Sequence, residues 1–262
     1  MNTHLGWALL ALAVTHGSGG SRASVKTREV EYRQGGIVLQ GVIAWDDALR
    51  GKRPGVLVVH EWWGNNENTR NQARRLAEAG YVAFALDMYG KGKIATHPQD
   101  AQAFVAELTK DPALVAARFN AGLEQLKQDS HVDSTRLAAI GYCFGGGVVL
   151  EMARAGANLA AVVSFHGALA PKTPAAPGSV KARVLALTGT ADPFVPPEQV
   201  DAFRREMQAA GARFEVVTYP GAKHGFTNPN AAQYGMPQLG YDANADRESW
   251  AAMLKLFREV FS

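Results

Sequence analysis

The chain has 262 residues, 47% hydrophobic and 19% charged, with 27 basic against 24 acidic side chains and a formal net charge of +3. The charges are dispersed, without a basic run or an aromatic-interleaved stripe, which excludes the patterns that mark binding to nucleic acid or to an anionic membrane. Cys143 is the one cysteine, so an internal disulfide and a cysteine-based metal site are both excluded, and no metal or other cofactor is expected.

The apolar run Leu5 to Val14 is too short to span a bilayer. It suits the hydrophobic region of a signal peptide, with Ser21 and Ala23 giving a small-x-small cleavage site before Ser24, although no Lys or Arg precedes it. Residues 1–23 are therefore expected to be a signal peptide and residues 24–262 a single domain. Export to the periplasm or medium follows, or a cytoplasmic location if the segment is not a signal. No stable membrane association is expected after cleavage.

Val25 to Trp45 alternates polar and apolar residues around Gly35-Gly36 and reads as a β-hairpin at an antiparallel edge. Gly55 to Val59 is a continuous apolar run typical of a strand buried on both faces, and His60-Glu61-Trp62-Trp63-Gly64 follows at its carboxyl end. Asn65 to Ala79 has helical periodicity closed by Gly80, and Tyr81 to Leu86 is the next buried strand. Asp87 to Lys93 leaves it as a Gly-rich loop.

Pro98 to Gln128 holds two helical stretches broken near Asp111-Pro112. Arg136 to Ile140 reads as a strand, Val148 to Ala155 as a helix, and Ala160 to Phe165 as a strand ending in His166-Gly167. Ala168 to Lys181, rich in Pro and Ala, reads as a surface loop. Val184 to Thr188 is a strand, Pro196 to Ala210 a helix, Phe214 to Tyr219 a strand, and the last helix covers about Asp246 to Val260. Strands and helices alternating at this spacing predict an α/β fold: a mostly parallel, doubly wound sheet with an antiparallel N-terminal hairpin and helices on both faces.

Between strand and helix lies Gly141-Tyr142-Cys143-Phe144-Gly145, a G-x-C-x-G turn with Cys143 at its apex. A nucleophile elbow strains the residue at the turn and leaves little room beside it, so its flanks favour Gly. The helix that follows would direct free N–H groups and its positive dipole end at the apex, favouring a thiolate or a developing oxyanion. In open α/β sheets ligands bind beyond the carboxyl ends of the strands, and Glu61, Cys143, Asp192 and His224 all occupy such ends. Singly, Asp192 before Pro193 suits a turn and His224 a solvated loop. Together, nucleophile, acid and histidine stand in the chain order of α/β-hydrolase triads.

The stretches VVHEWWG (Val58 to Gly64), LDMYG (Leu86 to Gly90), GYCFGG (Gly141 to Gly146), GTADPFVP (Gly189 to Pro196) and HGF (His224 to Phe226) together resemble the dienelactone hydrolase family of the α/β-hydrolase superfamily. The resemblance covers nearly everything from Val25 onward. It implies the α/β-hydrolase fold and a carboxylic ester or lactone hydrolase. Its nucleophile would be Cys143, its general base and acid His224, and the orienting carboxylate Asp192. Glu61 would contact the resting thiol and help to release thiolate when substrate arrives. The resemblance also places an oxyanion hole at the backbone N–H groups of Phe144 and Trp62.

Family members that open dienelactones hold the substrate carboxylate with arginines at places filled here by Lys91 and Asn228. Lys and Arg are not interchangeable for bidentate carboxylate binding, and Asn carries no charge. Trp62, Trp63, Tyr89, Tyr142 and Phe226 are expected to wall an aromatic pocket. His166 is expected to face it in a supporting role. The partner is thus a small-molecule ester or lactone, with the protein a monomer or homodimer. A thiol-based binding or redox-responsive protein, and an acyl transferase or isomerase on the same site, are the alternatives.

Overall fold

The computed structural model describes residues 24–262; the expected signal peptide lies outside them. Eight strands form one sheet in the order β1-β2-β4-β3-β5-β6-β7-β8. Their ranges are β1 Val25–Gln34, β2 Ile37–Asp46, β3 Arg53–Val59, β4 Val82–Ala85, β5 Val132–Tyr142, β6 Ala161–Phe165, β7 Arg183–Gly189 and β8 Phe214–Tyr219. β1 pairs antiparallel with β2, and β2 with β4; every other neighbouring pair is parallel. The mostly parallel sheet and its antiparallel N-terminal hairpin are as the sequence predicts.

Among the described residues, six helices cover the sheet: α1 Glu67–Glu78, α2 Pro98–Thr109, α3 Pro112–Gln128, α4 Phe144–Arg154, α5 Pro197–Ala209 and α6 Ala243–Phe261. The alternation of side chains along each strand divides the apolar interior into two layers. One packs Leu57, Phe84, Ala139 and Val162 beneath α3, α4 and α5; the other packs Val58, Ala138, Ile140 and Val163 beneath α1 and α6. Among the described residues, no helix is long and apolar enough to cross a membrane.

Several boundaries differ from the sequence reading, among them three at the ends of α4, β5 and α6. α4 begins at Phe144, directly after Cys143, rather than at Val148. The run Phe144 to Gly147 has three glycines and weak helical propensity, but the turn at Cys143 and the packing of those glycines hold it in the helix. β5 extends through Tyr142 because it pairs with both β3 and β6 almost to the apex. α6 starts three residues early, where Asp242 caps the N–H groups of Asn244 and Ala245.

The surface loop from Ala168 to Lys181 is fastened to the two helices beside it. Arg154 Nη2 donates to Leu169 O at 2.7 Å, Gln199 Oε1 accepts from Leu169 N at 2.6 Å, and Glu206 Oε1 accepts from Ala175 N at 2.9 Å.

Candidate active site

The carboxyl ends of β3, β5, β6, β7 and β8 bring Glu61, Cys143, His166, Asp192 and His224 to one rim. Cys143 stands between β5 and α4 with φ 52° and ψ −114°, a left-handed conformation that costs a non-glycine residue of order 1–3 kcal/mol. The tightness explains both flanking glycines. A Cβ on Gly141 would lie 2.0 Å from Gly145 O, and one on Gly145 would lie 2.4 Å from Val59 O and 2.6 Å from His60 O. The thiol is partly exposed, at the N-terminus of α4, where the helix dipole favours negative charge.

His224 Nδ1 lies 2.8 Å from Asp192 Oδ2, and both side chains are nearly fully buried. Asp192 Oδ1 accepts from Phe194 N at 2.9 Å, which fixes the carboxylate. Burial alone would lower the imidazole's pKa. A Cys143 thiolate, the hydrogen bonds to Asp192 and Cys143, and the Asp192 charge outweigh it and push the pKa up to about 10. The histidine is therefore charged when it faces a thiolate, with Asp192 holding the proton on Nδ1.

Glu61 is buried, and its Oε2 accepts from Asn228 Nδ2 at 2.7 Å and Asn68 Nδ2 at 3.3 Å. Burial raises its pKa, opposed by the His224 charge and the two amide bonds. The carboxylate is thus tied to amides; Asn228 occupies its oxygen instead of pointing at a substrate. The contribution of Asn68, which lies on α1, has no motif to reveal it in the sequence.

His166 is wholly buried with φ 40°. Burial and the His224 charge hold its pKa well below the ordinary histidine value, so it is neutral. Its Nδ1 accepts from Cys143 N at 3.2 Å, and its Nε2 donates to Thr227 Oγ1 at 2.8 Å. Its ring therefore supports the elbow's backbone from behind.

The aromatic residues separate into two groups. Trp62 and Phe144 are partly exposed at the rim, and Tyr89 donates its hydroxyl to Trp62 O at 3.1 Å. Trp63, Tyr142 and Phe226 lie in the packed interior behind the rim. Tyr142 shares its strand face with Ala138 and Ile140 and stacks on Phe165 at 4.7 Å, as period-two alternation dictates. Trp63 stacks on Tyr234 at 3.6 Å, and Phe226 meets His166 edge-on at 5.0 Å.

Of the five aromatics expected to wall a pocket, Trp63, Tyr89, Tyr142 and Phe226 are buried and Trp62 is partly exposed. Lys91 is on the outer surface, where its ammonium pairs with Glu31 of β1. Phe194, absent from the sequence reading, is 47% exposed and stands edge-on to His224 at 5.0 Å. Among the described residues, no Lys or Arg is one of the charges that shift Glu61 or His224.

The arrangement brings a thiol, an imidazole and its carboxylate partner together at one rim. The dienelactone hydrolase family model matches residues 39–261. The chain belongs to the dienelactone hydrolase family. The solved structure named m3DLH is 40% identical over 91% of this family member and 99% of its own chain, with a TM-score of 0.86. A dienelactone hydrolase-like promiscuous phosphotriesterase from metagenomic libraries is 37% identical over 90% of this chain and 98% of its own, also with a TM-score of 0.86. A relative from Methylorubrum extorquens, whose provisional name is carboxymethylenebutenolidase, is 31% identical over 219 residues, 80% of this chain and 73% of its own.

Proposed function

We propose that this dienelactone hydrolase family member hydrolyses uncharged carboxylic esters or lactones through an acyl-thioester on Cys143. The observation that carries the reading is the Asp192–His224 pair at 2.8 Å facing a thiol at the apex of a strained elbow. The thiolate attacks the carbonyl carbon; the carbonyl π pair moves to oxygen, held by Phe144 N–H and Trp62 N–H. Collapse expels the alkoxide, which takes the proton from His224 Nε2. Water then adds to the thioester as His224 removes its proton, and the thiolate leaves with the carboxylic acid product.

Asp192 keeps the imidazole in the productive tautomer throughout. Glu61, held by Asn228 and Asn68 and felt by His224, disfavours an anionic substrate in its negative form. Lys91, being engaged with Glu31, offers such a substrate no counter-charge. Trp62, Phe144 and Phe194 supply the apolar rim against which the substrate's organic groups lie.

The test is hydrolysis of short p-nitrophenyl esters and lactones by the wild type and by Cys143→Ala. Loss of turnover in the variant is expected; turnover that survives it would remove the cysteine mechanism. The relative named a promiscuous phosphotriesterase makes a neutral phosphotriester a useful further substrate, because it also needs no cationic subsite. We further propose that residues 24–262 act as one domain, exported after removal of residues 1–23.

A further inference from the structure

We propose that His60 is a positioning residue that sets the oxyanion hole by clamping the Glu61–Trp62 peptide. The inference rests on the acyl-thioester reading above and on contacts that the triad does not explain. His60 is wholly buried at the end of β3. Its Nδ1 lies 2.5 Å from Glu61 O, while its Nε2 accepts from Met88 N at 3.2 Å. A ring that accepts at Nε2 and bonds a carbonyl at Nδ1 must carry its single proton on Nδ1. Burial supports that neutral form by lowering the pKa.

In a planar trans peptide the C=O and the N–H point in opposite directions. Holding Glu61 O on one side, by His60 Nδ1 and by Gly64 N at 3.2 Å, therefore aims Trp62 N–H to the other. The next peptide is fixed as well, because Tyr89 Oη donates to Trp62 O at 3.1 Å.

His60 also reaches the second donor. Its own carbonyl accepts from Gly145 N at 3.1 Å, tying the first turn of α4 to β3. Its ring lies 4.8 Å from Tyr89 and 6.1 Å from Phe144, and those two rings stack at 5.9 Å. One residue thus connects the loop bearing Trp62 N–H to the helix end bearing Phe144 N–H. A positioning role of this kind adds nothing to the thiolate itself.

The test separates those two quantities. Acyl transfer develops an oxyanion, whereas alkylation by iodoacetamide is a direct displacement at carbon that forms a C–S bond, releases iodide and develops none. In His60→Ala, kcat on a short ester is expected to fall roughly 10²-fold, the effect of losing one oxyanion donor, with KM and the iodoacetamide rate each within about threefold of wild type. Parallel loss of both reactions, or retention of kcat within threefold, would overturn the proposal.

If His60→Ala does not fold, His60→Asn and His60→Gln decide. The shorter amide can place its N–H where Nδ1 stood, and the longer one reaches only the Nε2 position. Asn is expected to exceed Gln in kcat by about tenfold, and equal or reversed activities would overturn the proposal. An aldehyde that adds reversibly to Cys143, its carbonyl oxygen taking a proton as the C–S bond forms, gives a readout independent of turnover. Its affinity should fall with kcat across the series. A wild type that binds the aldehyde but turns over no ester would defeat the ester-hydrolase reading while leaving this one testable.

Discussion

Asp192 Oδ2 and His224 Nδ1 meet at 2.8 Å across 32 residues of sequence, because β7 and β8 are adjacent parallel strands whose carboxyl ends open onto the same rim. The pair orients one imidazole nitrogen and leaves the other for the thiol. Replacing Asp192 with Asn keeps the shape and lets the wrong tautomer form. Steady-state kinetics of Asp192→Asn should show kcat reduced by up to roughly 10⁴-fold at neutral pH.

His224, its pKa raised first by the Cys143 charge and then by Asp192, has a stability signature. His224 has its pKa raised from 6.5 to about 10 in the folded protein. The protonated form is favoured by folding, so its contribution is fully present below about pH 6.5 and is lost as pH rises through about 10. The difference in Tm between wild type and Asp192→Asn should therefore shrink steadily from pH 6.5 to pH 10. A difference that widens over that interval would contradict the assigned direction.

The elbow glycines make a steric prediction. Gly141→Ala places a methyl group 2.0 Å from Gly145 O, which is backbone and cannot rotate away. Urea unfolding should show a loss of about 3 kcal/mol, at the upper end for overpacking, together with loss of activity. Gly147→Ala, whose added Cβ would meet nothing closer than 3.8 Å, should be tolerated far better in stability.

Substrate charge is the fourth test. Two acids, Glu61 and Asp192, lie at the rim, Asn228 is committed to Glu61 and Lys91 to Glu31. Of two p-nitrophenyl esters matched in length, the uncharged one should have a kcat/KM at least about tenfold above the one ending in a carboxylate, the order of one unscreened charge contact. Preference for the anionic ester would require a cationic subsite.

Export has its own check. N-terminal sequencing of the protein from its native host should begin near Ser24; Met1 or Asn2 on the mature chain would oppose it.

The sheet, the turn at Cys143 and the meeting of Asp192 with His224 were legible in the sequence because each has a local signature: apolar runs for the parallel strands, glycines spaced about Cys143, and an acid and a histidine just past strand ends. The start of α4 was not, since Phe144 to Gly147 reads as helix-breaking and is held by the close packing of Gly145 on Val59 and His60 and of Gly146 on Ser164 and Gly167. Neither was the fate of the aromatics. Strand parity turns Tyr142 inward, Tyr234 covers Trp63, and His166 and Tyr219 pack on Phe226, contacts that composition does not announce. Phe194, Asn68 and Thr227 gain their roles from contacts between elements distant in sequence, which no spacing rule records.

The central claim is that Cys143 carries the acyl group. Wild-type protein mixed with excess activated ester and quenched within the first turnovers, then digested and analysed by mass spectrometry, measures it directly. An acyl group on the peptide containing Cys143, more abundant in Asp192→Asn as deacylation slows, is the expected result. Turnover with no acyl group on that peptide, or with the acyl group on another side chain, would contradict it.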